Sequence, residues 1–283
     1  MKVLPFKIPK TENDILIVQE DRGVAFYEQL HQHEEILLSC IISGKGTFIV
    51  GDTIRDFQVN DVLLFGSNVP HVFKSDQETK ESTYMISLFF TKDSFGDHLF
   101  ALPQLQKAQQ LLEDAHFGVR FTEKQSYISL LFQNMIQQHT IRRFATFFEV
   151  LSILTQSNYE TVSSFIHTKN YTDDDGKRMS AVFEFVMNHF DQKIVLEDVS
   201  TIANMTPNAF CKYFKQRTNK TFFKFLTEVR IENACKFLTN SKEQSITDIA
   251  LHCGFFNVSN FNRKFKEIKG VTPSGFRKRA FKF

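Results

Sequence analysis

Apolar residues run through the first ninety positions in short bursts. The segments ILIVQE (15–20), VAFYEQL (24–30), EILLSCII (35–42), TFIV (47–50), DVLLF (61–65) and STYMISLFF (82–90) are rich in β-forming residues. Clusters of turn formers separate them: Asp21-Arg22-Gly23, Ser43-Gly44-Lys45-Gly46, Gly51-Asp52 and Gly66-Ser67-Asn68. Short strands at this spacing predict a β-barrel or sandwich. The period changes near Leu102. In PQLQKAQQLLEDAHF (103–117) and QSYISLLFQNMIQQHTIRRFATFFEVLSILTQS (125–157) apolar residues recur every three or four positions, which predicts two or three amphipathic helices. HTKNYTDDDGKR (167–178) is polar, with an acidic run and a glycine, and reads as an interdomain linker. From Met179 the helical period continues to the end.

The helical half contains a repeat. LEDVSTIANMTPNAFCKYFKQRTNKTFFKF begins at Leu196, and a matching stretch, SITDIALHCGFFNVSNFNRKFKEIKG, begins at Ser245. Val199 corresponds to Ile249 and Asn204 to Gly254 at an offset of 50; Phe210, Phe214 and Phe225 correspond to Phe261, Phe265 and Phe276 at an offset of 51. Asn and Gly both tolerate the left-handed backbone that a tight helix–helix turn needs. Each unit therefore has the outline of a helix-turn-helix, with Ser245 as N-cap of the second unit's first helix and Asp248 in its first turn. With Phe261 facing a core, the 100° step of a helix turns Ser259, Asn262, Arg263 and Lys266 outward; around Phe210 it does the same for Asn208, Cys211, Lys212 and Lys215. Arg reads guanine, Asn reads adenine and Lys contacts phosphate. Between the units, FLTEVRIENACKFLTN (225–240) carries Phe225, Val229, Ala234 and Leu238 as one buried stripe, so a continuous helix is expected to fix the two units relative to each other.

Charge sharpens this picture. The chain of 283 residues has a net charge of only +2. Residues 176–283 hold 19 Lys and Arg against 9 Asp and Glu, a net of +10, and the preceding 175 residues hold 15 against 23, a net of −8. A basic half joined to an acidic one implies that one half meets a polyanion. A composition of 42% hydrophobic and 23% charged residues excludes a wholly disordered chain. No run of about 18 apolar residues predicts a membrane span, the N-terminus lacks the apolar stretch of a signal peptide, and Cys40, Cys211, Cys235 and Cys253 form no CxxC pair. The expectation is a cytoplasmic protein with reduced thiols and no membrane contact.

The second unit and the connecting segment FLTEVRIENACKFL resemble the DNA-binding domain of the AraC/XylS family of bacterial transcription regulators, through Ile249, Ala250, Gly254, Phe255, Phe261, Phe265, Lys266, Gly270, Pro273 and Phe276. The resemblance implies two helix-turn-helix units with recognition helices near 207–217 and 257–268. Cys211 and Val258 stand at positions where many relatives carry larger polar or aromatic residues. LHQHEEILLSCIISGKG and DVLLFGSNVPHVFKS resemble the two cupin motifs of AraC-type sensor domains, whose ligand site lies inside a small β-barrel, and His31, His33 and His71 fit the histidine positions.

Three imidazoles converging in a barrel are chemically competent to bind a divalent metal. Leu37 and Leu38 stand where the resemblance would place a metal-binding carboxylate, so a two-histidine-plus-carboxylate site is not expected. The expectation is instead a polar wall of His31, His33, Glu35 and His71 that contacts an organic effector or packs the barrel, with no metal and no cofactor. His31, His33 and Glu35 alternate onto one strand face.

These readings combine into a multidomain α+β chain: a cupin-like β-barrel sensor over 1–100, a helical dimerisation segment over 101–166, a linker over 167–178, and an all-α domain with two helix-turn-helix units over 179–283. The expected activity is sequence-specific binding of double-stranded DNA by a homodimer under small-molecule control, without catalysis and with RNA polymerase as a further contact. The alternatives are a metal-dependent cupin enzyme fused to a DNA-binding domain, and a protein-interaction module.

Overall fold

The computed structural model describes residues 15–76, 82–123, 125–163, 173–240 and 243–281. The chain divides into two compact units, Met1–Asp173 and Asp174–Phe283. In the first, strands β1 (Ile17–Gly23), β2 (Ile36–Ser43), β3 (Gly46–Val50), β4 (Thr53–Phe57), β5 (Val62–Phe65), β6 (His71–Ser75) and β7 (Thr83–Phe90) come first. Helix α1 (Gln106–Asp114), strand β8 (Val119–Phe121), helices α2 (Gln125–Gln137) and α3 (Thr140–Leu154), and strand β9 (Tyr159–Thr161) follow. A six-stranded sheet runs in the order β1-β7-β2-β5-β8-β9 and a three-stranded sheet in the order β4-β3-β6, with every pairing antiparallel.

The unbroken apolar runs of β2 and β7 follow from cover on both faces. Ile36, Leu38 and Cys40 of β2 and Ile86, Leu88 and Phe90 of β7 pack with Leu111 and Leu112 of α1, Ile128, Phe132 and Met135 of α2, and Phe147, Val150 and Leu154 of α3. Leu37, Ile41, Met85 and Phe89, on the alternate positions, face Phe48, Val50, Phe57 and Phe73 of the small sheet across a second core. The two sheets thus enclose an interior.

Three expectations for this unit change. VAFYEQL is not a strand: apart from a single bridge between His31 and His71, residues 24–35 are irregular. Phe26 is buried there with its ring centroid 5.6 Å from that of Phe57, and Val24 is exposed. The apolar signal in this segment came from side chains that plug the interior without strand pairing. The expected turn at Asp21-Arg22-Gly23 is the end of β1, where Arg22 lies over the Tyr84 ring at 3.9 Å and Glu20 accepts from the Tyr84 hydroxyl at 2.8 Å. Finally, β8 and β9 extend the large sheet from within the segment read as helical, and Arg120 of β8 donates to Asp61 at 2.8 Å. The helices are therefore packed into the barrel unit, and the apolar face of FFEVLSIL covers the sheet.

The second unit is all helical: α4 (Asp173–His189), α5 (Leu196–Ile202), α6 (Pro207–Thr218), α7 (Phe222–Asn240), α8 (Ile246–His252), α9 (Val258–Lys269) and α10 (Pro273–Ala280). Helix α4 begins inside the segment expected to be linker, of which 167–172 lies outside the described residues. The repeat extends to the backbone. Asn204 and Gly254 both hold left-handed φ, 53° and 74°, in the turns before α6 and α9; Asn219 and Gly270 do so again, at 54° and 72°, after them. Ser245 caps α8 by accepting from the Asp248 N–H at 3.0 Å, and Thr206 and Asn257 cap α6 and α9 in the same way. Gly254 is required twice over, because a Cβ there would lie 2.6 Å from the Phe190 carbonyl oxygen.

Phe210 and Phe214 pack α6 against Phe222 and Phe225 of α7, and Phe261 and Phe265 pack α9 against Phe255 and Phe276. Phe261 is fully buried. Phe261→Ala is expected to destabilise this unit by about 3–5 kcal/mol; a thermal melt without a matching fall in midpoint would contradict the packing.

Candidate functional site

Helices α6 and α9 present their polar faces. Asn208, Cys211, Lys212 and Lys215 on α6 are exposed, as are Ser259, Asn262, Arg263 and Lys266 on α9, while the phenylalanines opposite are buried. The helical phase read from the pattern is the phase observed. Two exposed residues outside that set bear on Arg263. Asn260 accepts from the Arg263 guanidinium at 2.8 Å, and Glu267 lies 3.7 Å from it one turn on. Lys264 donates to Glu267 at 2.9 Å, and this bond, with the charges of Lys264, Arg263 and Lys224, holds the Glu267 carboxyl below the usual carboxylate range. The guanidinium is thereby oriented, and part of its charge is offset.

The connecting helix α7 seats both polar-faced helices. Its buried surface is wider than one stripe: besides Phe225, Val229, Ala234 and Leu238, it buries Phe222, Leu226, Ile231, Glu232 and Cys235. The reason is that the two helix-turn-helix units pack on different sides of it. Phe222 and Phe225 meet the rings of α6, and Ile231, Ala234, Cys235 and Leu238 meet the core of α8 and α9. Three charged residues of α7 are anchors. Glu228 accepts from Lys220, just beyond α6, at 2.8 Å; Glu232 accepts from Lys269, at the end of α9, at 2.6 Å. Arg230 donates to the carbonyls of Phe190 and Gln192, both at 2.7 Å.

In the barrel, His31, His33 and His71 come together, with ring centroids 4.4 to 6.0 Å apart. His31 and His71 line a cavity of about 360 Å³, counted with its open mouth, whose wall also includes Phe89, Met85, Ser87 and Asp21. The His31–His71 bridge sets two of the rings side by side, with main-chain bonds of 3.1 and 2.9 Å in the two directions. Burial lowers all three imidazole pKa values. It takes His31 to about 4, it acts on His33 against the raising effect of the Glu35 carbonyl and carboxylate, and it puts His71 well below the ordinary value with help from its two neighbours. All three are neutral at pH 7. Glu35 is buried but is not part of the cavity wall: its carbonyl accepts from His33 Nδ1 at 2.9 Å and its carboxylate lies 3.8 Å from the same atom. Sequence reading missed Asp21, whose carboxyl is raised by burial and eased by a 2.7 Å bond from Gln19. The alternation Ile17-Gln19-Asp21 along β1 carried that signal, because Ile17 belongs to the interior core.

A family profile described as an AraC-like ligand binding domain matches residues 15–140, and one described as a helix-turn-helix domain matches residues 199–279. The chain belongs to the AraC family of transcription regulators. It is 22% identical to the uncharacterized HTH-type regulator YdeC of Bacillus subtilis, over 91% of this chain and 89% of that one. It is also 22% identical to the HTH-type transcriptional activator RhaR of Mannheimia succiniciproducens, over 89% of this chain and 88% of that one. Among solved structures, ToxT of Vibrio cholerae covers 95% of this chain and 99% of its own, at 15% identity and a TM-score of 0.40. This AraC-type regulator is a DNA-binding protein with a ligand-binding N-terminal domain. Among its described residues no helix is long and apolar enough to cross a membrane.

Glu267 sits among the cations of α9, and its charge would oppose a phosphate backbone brought to this face. Glu267→Gln is expected to strengthen binding to any duplex by about threefold to tenfold at low salt, with a steeper salt dependence. Electrophoretic titration at several salt concentrations checks this; weaker binding would show that the carboxylate is needed to orient Arg263.

Proposed function

We propose that this AraC-type regulator reads two neighbouring major-groove segments through α6 and α9, and that a small molecule in the barrel controls this binding. The observation that carries the first part is the matched pair of exposed polar faces, repeated at an offset of 51 residues and anchored to one helix within one compact unit. Recognition helices joined in this way suit successive grooves about 34 Å apart on one face of a duplex. In this reading Arg263 contacts a base, Asn208, Ser259 and Asn262 add polar contacts, Cys211 lies against the groove, and Lys212, Lys215 and Lys266 hold phosphates.

The barrel cavity supports the second part. It offers aromatic and thioether walls with a few convergent polar groups, the usual make-up of a small-molecule site. An effector acts only by binding one arrangement of the regulator more tightly than another. A homodimer completes the proposal: α2 and α3 leave Leu130 and Ile141 exposed on the barrel unit, available to a second copy. Sedimentation velocity reads this directly, since a monomer at micromolar concentration, with and without DNA, removes the dimer from the scheme.

Selection of bound sequences from random duplex DNA, repeated with candidate effectors, tests the whole. On a selected site, Arg263→Ala is expected to lower affinity by about 1–3 kcal/mol and relax specificity at one position. Lys266→Ala is expected to weaken binding to all sequences alike and to reduce the salt slope by about one. A folded Arg263→Ala protein with unchanged affinity would remove that residue from the interface.

A further inference from the structure

We propose that the barrel takes an organic cation, an ammonium group on an apolar or aromatic body, with Asp21 as its counter-charge. This rests on the reading of the barrel as an effector site and names the class of molecule the site accepts. The cavity wall is one-sided in its chemistry. Its polar groups are Asp21, Tyr27, His31, His71 and Ser87, and no lysine or arginine lines it among the described residues.

Hydrogen bonding decides what these groups offer. His31 donates Nδ1–H to the Gln29 carbonyl and His71 donates its own to the Val69 carbonyl, both at 2.8 Å. A carbonyl oxygen only accepts, so Nε2 of each ring carries the lone pair. His71 Nε2 is buried and has no hydrogen-bond partner among the described residues, a costly state for an acceptor. Tyr27 donates its hydroxyl hydrogen to Gln29 at 3.0 Å, which leaves its oxygen to accept. The Ser87 and Ser39 hydroxyls lie 3.3 Å apart and either donates, so Ser87 alone can offer a hydrogen to the cavity. Asp21 adds a charge. Gln19 is its one hydrogen-bond donor among the described residues, at 2.7 Å, and the neighbouring Arg22 is turned to Glu20 instead, also at 2.7 Å. The rings of Phe26, Tyr27, Phe73 and Phe89 complete the wall, and aromatic faces attract cations. A carboxylate or phosphate placed here would meet the Asp21 carboxyl and imidazole lone pairs with no cation to balance it, since burial keeps both imidazoles neutral at pH 7. A neutral polyol would gain the hydrogen bonds and leave the Asp21 charge uncompensated. An ammonium group satisfies the acceptors and the charge together.

The test titrates untagged, chelator-treated full-length protein separately with benzylamine, benzyl alcohol and benzoate, which share a ring and differ in charge. Calorimetry reads affinity, and the methyl NMR signal of Met85, which lines the cavity, reads location. Benzylamine is expected to bind about tenfold or more tighter than benzyl alcohol, with benzoate weakest. Asp21→Asn is expected to abolish the preference for the amine while leaving the affinity for the alcohol within about threefold. Benzyl alcohol or benzoate binding as tightly as benzylamine, with the Met85 methyl shifted, overturns the cation assignment and leaves the barrel as an effector site. Failure of all three to shift that methyl overturns both readings. The comparison in the parent needs no variant to fold; a folded Asp21→Asn protein that keeps the full preference overturns the assignment of Asp21 as counter-charge.

Discussion

The DNA-binding unit depends on a single constraint: helix α7 is held on all sides. Arg230 ties it to the two carbonyls that follow α4, and the same guanidinium lies beside the left-handed Gly254 turn of the second helix-turn-helix. Glu228 and Glu232 extend the hold to the far ends of α6 and α9. Charges this enclosed are costly to bury unless each finds a partner, and each of these does. Removing one partner would leave the other in an apolar surround, so the pairs favour one seating of α6 and α9 against α7. An apolar interface alone permits neighbouring registers of similar energy; two enclosed ion pairs one turn apart on the connector, one to each polar-faced helix, do not.

A comparable logic shapes the barrel. The large sheet is covered by helices on one face and by the small sheet on the other, which leaves its interior dry enough to depress the imidazole basicities. Most polar groups in such a place are held by hydrogen bonds. The three Nδ1 atoms are satisfied by carbonyls two residues away, an arrangement that irregular chain supplies easily and a regular strand does not. The loss of strand structure over 24–35 and the ordering of the histidines are thus one feature. The segment leaves the ladder, plugs the interior with Phe26, and returns to pair only at His31.

Much of this was legible from residue order. The repeat at offsets of 50 and 51 located both polar-faced helices, their outward residues and the left-handed turns at Asn204 and Gly254, because 3.6-residue periodicity and positive φ leave strong local marks. The long apolar strands β2 and β7 were equally plain. What escaped was whatever depends on partners distant in sequence. Strands β4, β6, β8 and β9 are short or mixed in polarity and form because a neighbouring strand is present. Glu228, Arg230 and Glu232 went unremarked, since nothing local distinguishes an exposed glutamate from one that pairs with Lys269. His31, His33 and His71 were recognised as a set, yet their tautomers follow from carbonyl positions that no pattern of residue types contains.

The two halves of the repeat share a backbone but not a surface. On α9, Arg263 is drawn to Asn260 and balanced by Glu267 before any partner arrives, so a directional group is held in place at the cost of net charge. On α6 the outward residues are Asn208, Cys211, Lys212 and Lys215, with no carboxylate among them. The first surface has orientation and little excess charge; the second has excess charge and little orientation. Base edges reward orientation, because a bidentate bond fails when misaligned, whereas phosphates reward charge at almost any angle. The two matched helices on one connector thus differ in the two properties, orientation and charge, that base edges and phosphates respectively reward.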